Sequence, residues 1–231
     1  LALADLQGAI SLGEEGPAIF LARGRTHQLL GNTQEALTDL DHCLEIDPTD
    51  SMAYYYRGLI QEDLGDLAGA VSDYGDALRV GGEDAALYFL RALARAGSGD
   101  DREAIADLDR SIQVDPDNPS SHFEKGKILE VMEDSSGALQ AFGRALELDE
   151  EHLEARRCRA NLAYLAGYGT QSVEDWSWIL KTDPEDLEAL YMRGVARFSV
   201  GDYEGVDEDL SLVLVEDPEN ASSYYYRGMA R

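Results

Sequence analysis

Residues able to support catalysis or metal binding are few. Four histidines (His27, His42, His122 and His152) and two cysteines (Cys43 and Cys158) are spread over 231 residues. Only His27, His42 and Cys43 fall near one another, and they lack the paired spacing of a zinc site. A general acid or base needs an orienting partner and a pocket. No glycine-rich phosphate loop or nucleophile elbow accompanies these residues. No enzyme, metal or cofactor is expected of this segment, and catalysis would belong to another domain of a parent protein.

The chemistry that does recur is ionic. Arg23, Arg57, Arg91, Arg159 and Arg193 are each followed sixteen residues later by an aspartate: Asp39, Asp73, Asp107, Asp175 and Asp209. A guanidinium grips a carboxylate through two parallel hydrogen bonds, which an ammonium cannot do. The one break in the series substitutes both partners, with Lys125 and Ala141. Covariation of this kind points to arginine–aspartate staples that are structural rather than ligand-binding. Two partners are open to each arginine: the aspartate sixteen residues on, or one in the preceding helix, such as Asp5 for Arg23.

Those columns belong to a longer period. Asp-Pro recurs at 47–48, 115–116, 183–184 and 217–218, and YYYRG at 54–58 and 224–228, all at multiples of 34 residues. In a 34-residue frame beginning at Ser51, position 8 holds Gly24, Gly58, Ala92, Gly126, Ala160, Gly194 and Gly228. Position 24 holds Leu6, Leu40, Tyr74, Leu108, Phe142, Trp176 and Leu210. Small residues facing bulky ones at a fixed offset are what two closely packed helices require. Glycines at position 15 suit the left-handed residue that ends a first helix. Asn32, Asp66, Asp100, Asp134 and Asp202 at position 16 then suit the N-cap of a second.

With its small residues at 8, 20 and 27, bulky residues at 4 and 24 and Pro at 32, the sequence resembles the tetratricopeptide repeat (TPR) family. The resemblance covers the whole chain. It implies an all-α solenoid of antiparallel helix pairs wound into an α-α superhelix. As a single array it comprises the second helix of a partial repeat at 1–16, repeats at 17–50, 51–84, 85–118, 119–152, 153–186 and 187–220, and the start of another at 221–231. Such an array is expected to be a fragment of a longer protein.

In TPR arrays the first helices line a concave groove through positions 2, 5, 6, 9, 12 and 13, so the resemblance implies a scaffold that binds a peptide or partner protein there. The candidate groove residues are Tyr55, Tyr56, Phe89, Phe123, Tyr191 and Tyr225, together with Lys127, Arg157 and Asn161, which are expected to cluster as an anion-friendly spot. Two bland alternatives stay open: the aromatics pack between repeats, and the three polar residues are merely exposed beside Glu124 and Glu154. The clamp of chaperone-binding TPRs is matched only by Arg157 and Asn161, and the asparagine ladder of O-linked sugar transferases only by Asn161. An alternative reading makes the chain a regulatory, targeting or self-assembling region of a larger enzyme or a secretion or membrane-associated complex, with end-to-end association of arrays.

Charge limits the partners. Forty-six acidic against 19 basic residues give a net charge of −27, which repels nucleic acid and favours cationic or hydrophobic protein partners. Much of it is repeat grammar: 18 of the 25 aspartates occupy positions 16, 23, 31 and 34. No apolar run reaches the ~20 residues that span a bilayer.

Overall fold

A computed structural model describes residues 2–231, which form fourteen α-helices and no strand. They fall into two compact units, the first ending at Asp117 and the second beginning at Asn118. The first contains α1 (Ala2–Ser11), α2 (Pro17–Leu29), α3 (Thr33–Ile46), α4 (Ser51–Asp63), α5 (Leu67–Gly81), α6 (Ala85–Gly97) and α7 (Asp101–Val114). The second contains α8 (Pro119–Val131), α9 (Ser135–Leu148), α10 (Leu153–Leu165), α11 (Gly169–Thr182), α12 (Leu187–Val200), α13 (Tyr203–Glu216) and α14 (Ala221–Ala230). Within each unit a helix packs chiefly on its immediate neighbours in the chain, as α4 does on α5 and α12 on α13. That is an all-α solenoid of helix hairpins.

The hairpins close because position 8 is small. A Cβ on Gly58 would lie 2.7 Å from the Tyr74 ring, and one on Gly126 would lie 2.6 Å from the Phe142 ring. Tyr74, Phe142, Leu40, Leu108, Trp176 and Leu210 of position 24 are fully buried. The turn between the two helices needs a left-handed residue: Gly31, Gly65, Gly99, Gly167 and Gly201 have φ of 75–85°. Glu133 holds the same place in the 119–152 repeat at φ 63°, in a region that costs an L-residue free energy.

Capping follows a finer rule than the aspartate column at position 16 implies. Asp66, Asp134 and Asp202 accept a hydrogen bond from the amide of the residue three further on, but Asn32 and Asp100 do not. The three capped helices have glycine at that third place (Gly69, Gly137 and Gly205). Asn32 and Asp100 have Glu35 and Glu103 there instead; the caps at position 34 form over Ala53, Leu87 and Ala189, so glycine accompanies the position-16 caps without being a general requirement for capping. Position 34 caps the following helix through Asp50, Asp84, Asn118, Asp186 and Asn220, and also through His152, whose Nδ1 accepts from the Ala155 amide at 3.3 Å.

Candidate functional site

The first helices present the candidate partner-binding residues, and the arginine staples fix how each first helix sits on its second. Arg57 donates from Nε and Nη2 to the two oxygens of Asp73, both at 2.7 Å. The same two-bond geometry joins Arg23 to Asp39, Arg91 to Asp107, Arg159 to Asp175 and Arg193 to Asp209, at 2.5–2.9 Å. All five carboxylates are buried, while the arginines remain partly exposed. The Asp73 carboxylate raises the Arg57 pKa against the opposing effect of burial.

This grip leaves Nη1 free, and in three repeats it reaches a side chain at position 25 of the preceding repeat, whereas Arg91 and Arg159 face Gly75 and Gly143 there. Arg23 meets Gln7 Oε1 at 2.7 Å, Arg57 meets Asp41 at 2.6 Å and Arg193 meets Ser177 Oγ at 3.3 Å. The intrarepeat and interrepeat partners are therefore not alternatives. One planar cation serves both, and Arg23 uses Gln7 rather than Asp5 in the helix before it. Arg227, whose own aspartate column lies past Arg231, donates to Ser211 at 3.0 Å.

Three arginines outside the column add to the staples. Arg95 and Arg197, both at position 11, reach Asp107 and Asp209 at 2.6 and 2.9 Å. Their shared register was the available signal in the sequence. Arg156 replaces the position-4 aromatic, is buried, and contacts Asp175 at 3.2 Å with its guanidinium 3.9 Å from the Trp178 ring centroid. Burial lowers its pKa. No repeat-wide pattern announces it.

The candidate groove residues divide. In the first unit Tyr55 and Tyr56 stack edge-to-face at 5.0 Å and, with Met52, Ala86 and Gly82, line a depression of roughly 450 Å³; Phe89 is half-buried. In the second unit a wider open depression of roughly 720 Å³ is lined by Phe123, Lys127, Glu130, Val131, Glu154, Arg157 and Cys158. Phe123 is not the exposed groove residue expected: it is 7% exposed and packs on Phe142 and His152 at 5.9 and 4.6 Å. Tyr191 is half-buried and Tyr225 is 63% exposed.

The expected anion-friendly spot is largely neutralised. Lys127 pairs with Glu124 at 2.9 Å, and Arg157 donates to Glu188 at 2.7 Å and to Asp186, the cap of the next helix. Asn161 is half-buried and stands outside the lining of the depression that Lys127 and Arg157 share. Arg157 acts as an interrepeat tie, which its position alone did not signal.

The histidines and cysteines have local partners. His42 packs edge-on against Phe20 at 4.3 Å and hydrogen-bonds Glu45 at 3.1 Å, and His27 contacts Asn32 at 3.2 Å. Cys43 is buried, and burial together with the Asp50 carboxylate pushes its thiol up to about 12. Among the described residues no group of three His, Cys, Asp or Glu is arranged to hold a metal, and no helix is long and apolar enough to cross a membrane.

Comparisons with known proteins agree with this geometry. Models described as tetratricopeptide repeat match residues 17–50, 40–72 and 57–120. No curated protein matches. Among solved structures, the C-terminal part of a TPR repeat-containing protein from Cytophaga hutchinsonii is similar, with a TM-score of 0.81 at 17% identity over 97% of this chain and 92% of that one. Pseudomonas aeruginosa pilF gives 0.67 at 16% identity over 92% and 97%. MamA gives 0.69 at 16% identity over 74% and 94%. At such identities the likeness concerns the fold. The repeat models, the helix hairpins and their small-against-bulky closure agree, and the chain belongs to the tetratricopeptide repeat family.

Proposed function

We propose that this chain is a protein-interaction scaffold that holds a peptide or a segment of a partner protein on the first-helix face of its repeats. The observation that carries the reading is the Tyr55–Tyr56 pair. Two aromatic rings at successive first-helix positions pack partly on the core, Tyr56 on the 17–50 side and Tyr55 on the 85–118 side, and turn their remaining surface to an open depression. Large, rigid aromatics anchor interfaces because they bury much area at little cost in side-chain entropy. Glu83 and Asp84 border the same depression, so the occupant favoured is an apolar segment with basic flanks.

The experiment is a peptide-library selection on the 231-residue chain, followed by calorimetric titration of the selected peptides into wild type and Tyr55→Ala/Tyr56→Ala. The double variant is expected to lose ~2–4 kcal/mol of binding free energy, the range of an interface hot spot. Unchanged affinities across the selected peptides would sink the reading.

A further inference from the structure

On the opposite side of each hairpin, positions 4, 26 and 29 of the repeat form a second surface, and four of the six complete repeats build it alike. At positions 26 and 29 four repeats carry a hydrogen-bonded polar pair one turn apart: His42 with Glu45 at 3.1 Å, Asp76 with Arg79 at 2.9 Å, Arg110 with Gln113 at 2.6 Å and Arg144 with Glu147 at 2.8 Å. The position-4 side chain beneath is covered by the residue at 26, as Phe20 is by His42 and Tyr88 by Arg110. In the 153–186 repeat the same cover is made by Trp178 over Arg156.

In the 187–220 repeat the pair is aliphatic. Leu212 and Val215 are 54% and 71% exposed, and with Leu187 they wall a hollow of roughly 350 Å³ above the buried Leu190. Their exposure does not come from a missing neighbour, because Glu45 and Arg79 are just as open on hairpins that have a further repeat after them. Glu185 and Glu216 stand at the rim. A solvent-facing aliphatic pair where four sibling repeats place a satisfied polar one is a local departure from the repeat.

We propose that this hollow on α12 and α13 is a docking site for an aliphatic side chain borne by a cationic segment of a partner protein. The apolar floor and walls select the side chain, and the acidic rim selects the flanking charge. A lipid surface is disfavoured as occupant, since a chain of net charge −27 is repelled by anionic headgroups. The site is separate from the first-helix face and does not rest on it.

The test uses a fluorescein-labelled amphipathic peptide of leucine and lysine, and its counterpart with serine for leucine, followed by fluorescence anisotropy at physiological ionic strength. The variant Leu212→Arg/Val215→Glu installs the pair that the 119–152 repeat carries as Arg144 and Glu147, without changing net charge; its fold is checked by thermal melting. The leucine peptide is expected to bind wild type, and to bind the variant at least about tenfold more weakly, the equivalent of one aliphatic side chain left unburied. The serine peptide is expected to bind both proteins equally and weakly, and Tyr55→Ala/Tyr56→Ala to leave leucine-peptide binding unchanged. Equal affinity of the leucine peptide for wild type and variant overturns the proposal, as does equal affinity of wild type for the two peptides. Sedimentation of wild type, but not the variant, with phosphatidylcholine vesicles would overturn it in favour of a lipid surface.

Discussion

The staples should be asymmetric, and Arg57–Asp73 is the pair in which to see it. The Asp73 carboxylate is 3% exposed and receives two hydrogen bonds from Arg57. Remove the arginine and a buried carboxylate is stranded, a change that costs ~3–5 kcal/mol where a buried pair is broken. Remove the aspartate instead and the cation, 22% exposed in its side chain, still reaches water and Asp41 at 2.6 Å. That loss should fall near the ~1.5–3 kcal/mol of a charged hydrogen bond. Arg57→Ala should thus cost at least about 1 kcal/mol more than Asp73→Ala. The double variant Arg57→Lys/Asp73→Ala copies the Lys125 and Ala141 of the 119–152 repeat, and should lie closer to wild type than Arg57→Ala does. Urea unfolding followed by far-UV circular dichroism measures the ordering, with hydrogen exchange localising the loss to α4 and α5. If both single variants cost less than ~1 kcal/mol, the pair is an ordinary surface ion pair and the argument fails.

Gly58→Ala, whose Cβ would meet the Tyr74 ring at 2.7 Å, is expected to destabilise by ~1–3 kcal/mol in the same urea assay; Gly228→Ala, with nothing within 4 Å, should be neutral or slightly stabilising in this chain. Glu133→Gly relieves a left-handed glutamate and should raise stability by ~0.5–1 kcal/mol, read as a shift in melting temperature. Cys43, pushed up to about 12, holds almost no thiolate at pH 8 and should resist alkylation by iodoacetamide until urea unfolds the chain. Half-buried Cys158 is also raised, but should label first and slowly, and mass spectrometry of digested samples would show any reversal of that order.

The fold was legible because its rules are local and repeated. Gly58 against Tyr74 and Gly126 against Phe142 are two instances of one constraint, and six copies of a constraint make a column that a single sequence displays. The Arg57–Asp73 pairing was readable for the same reason, helped by the repeat in which both partners change. What escaped was whatever depends on one repeat alone. Asp66 caps its helix and Asp100, in the same column, does not, with Gly69 three places on in one case and Glu103 in the other. Arg156 fills an aromatic position with a charge held by Asp175, the Glu150 carbonyl and the Trp178 ring, and no neighbouring repeat predicts it.

The same logic separates candidate sites from grammar. A residue that obeys its column is accounted for by the fold, and that removes the arginine row from the binding surface however basic it looks. Phe123 obeys its column too, yet is lost to packing, because a bulky Phe142 beneath it and His152 beside it close over the ring. Tyr55 keeps its open edge although it holds the same position in its own repeat, and its surroundings include the Gly81–Gly82 end of α5, where other repeats have Asp-Pro or acidic residues. Column membership therefore fixes where a side chain emerges, but the neighbouring repeat's departures decide whether its surface stays available. On that criterion the residues with most to say about partners are the ones that break the period beside an open surface: Gly82 below Tyr55, and Leu212 with Val215 where four sibling repeats place a polar pair.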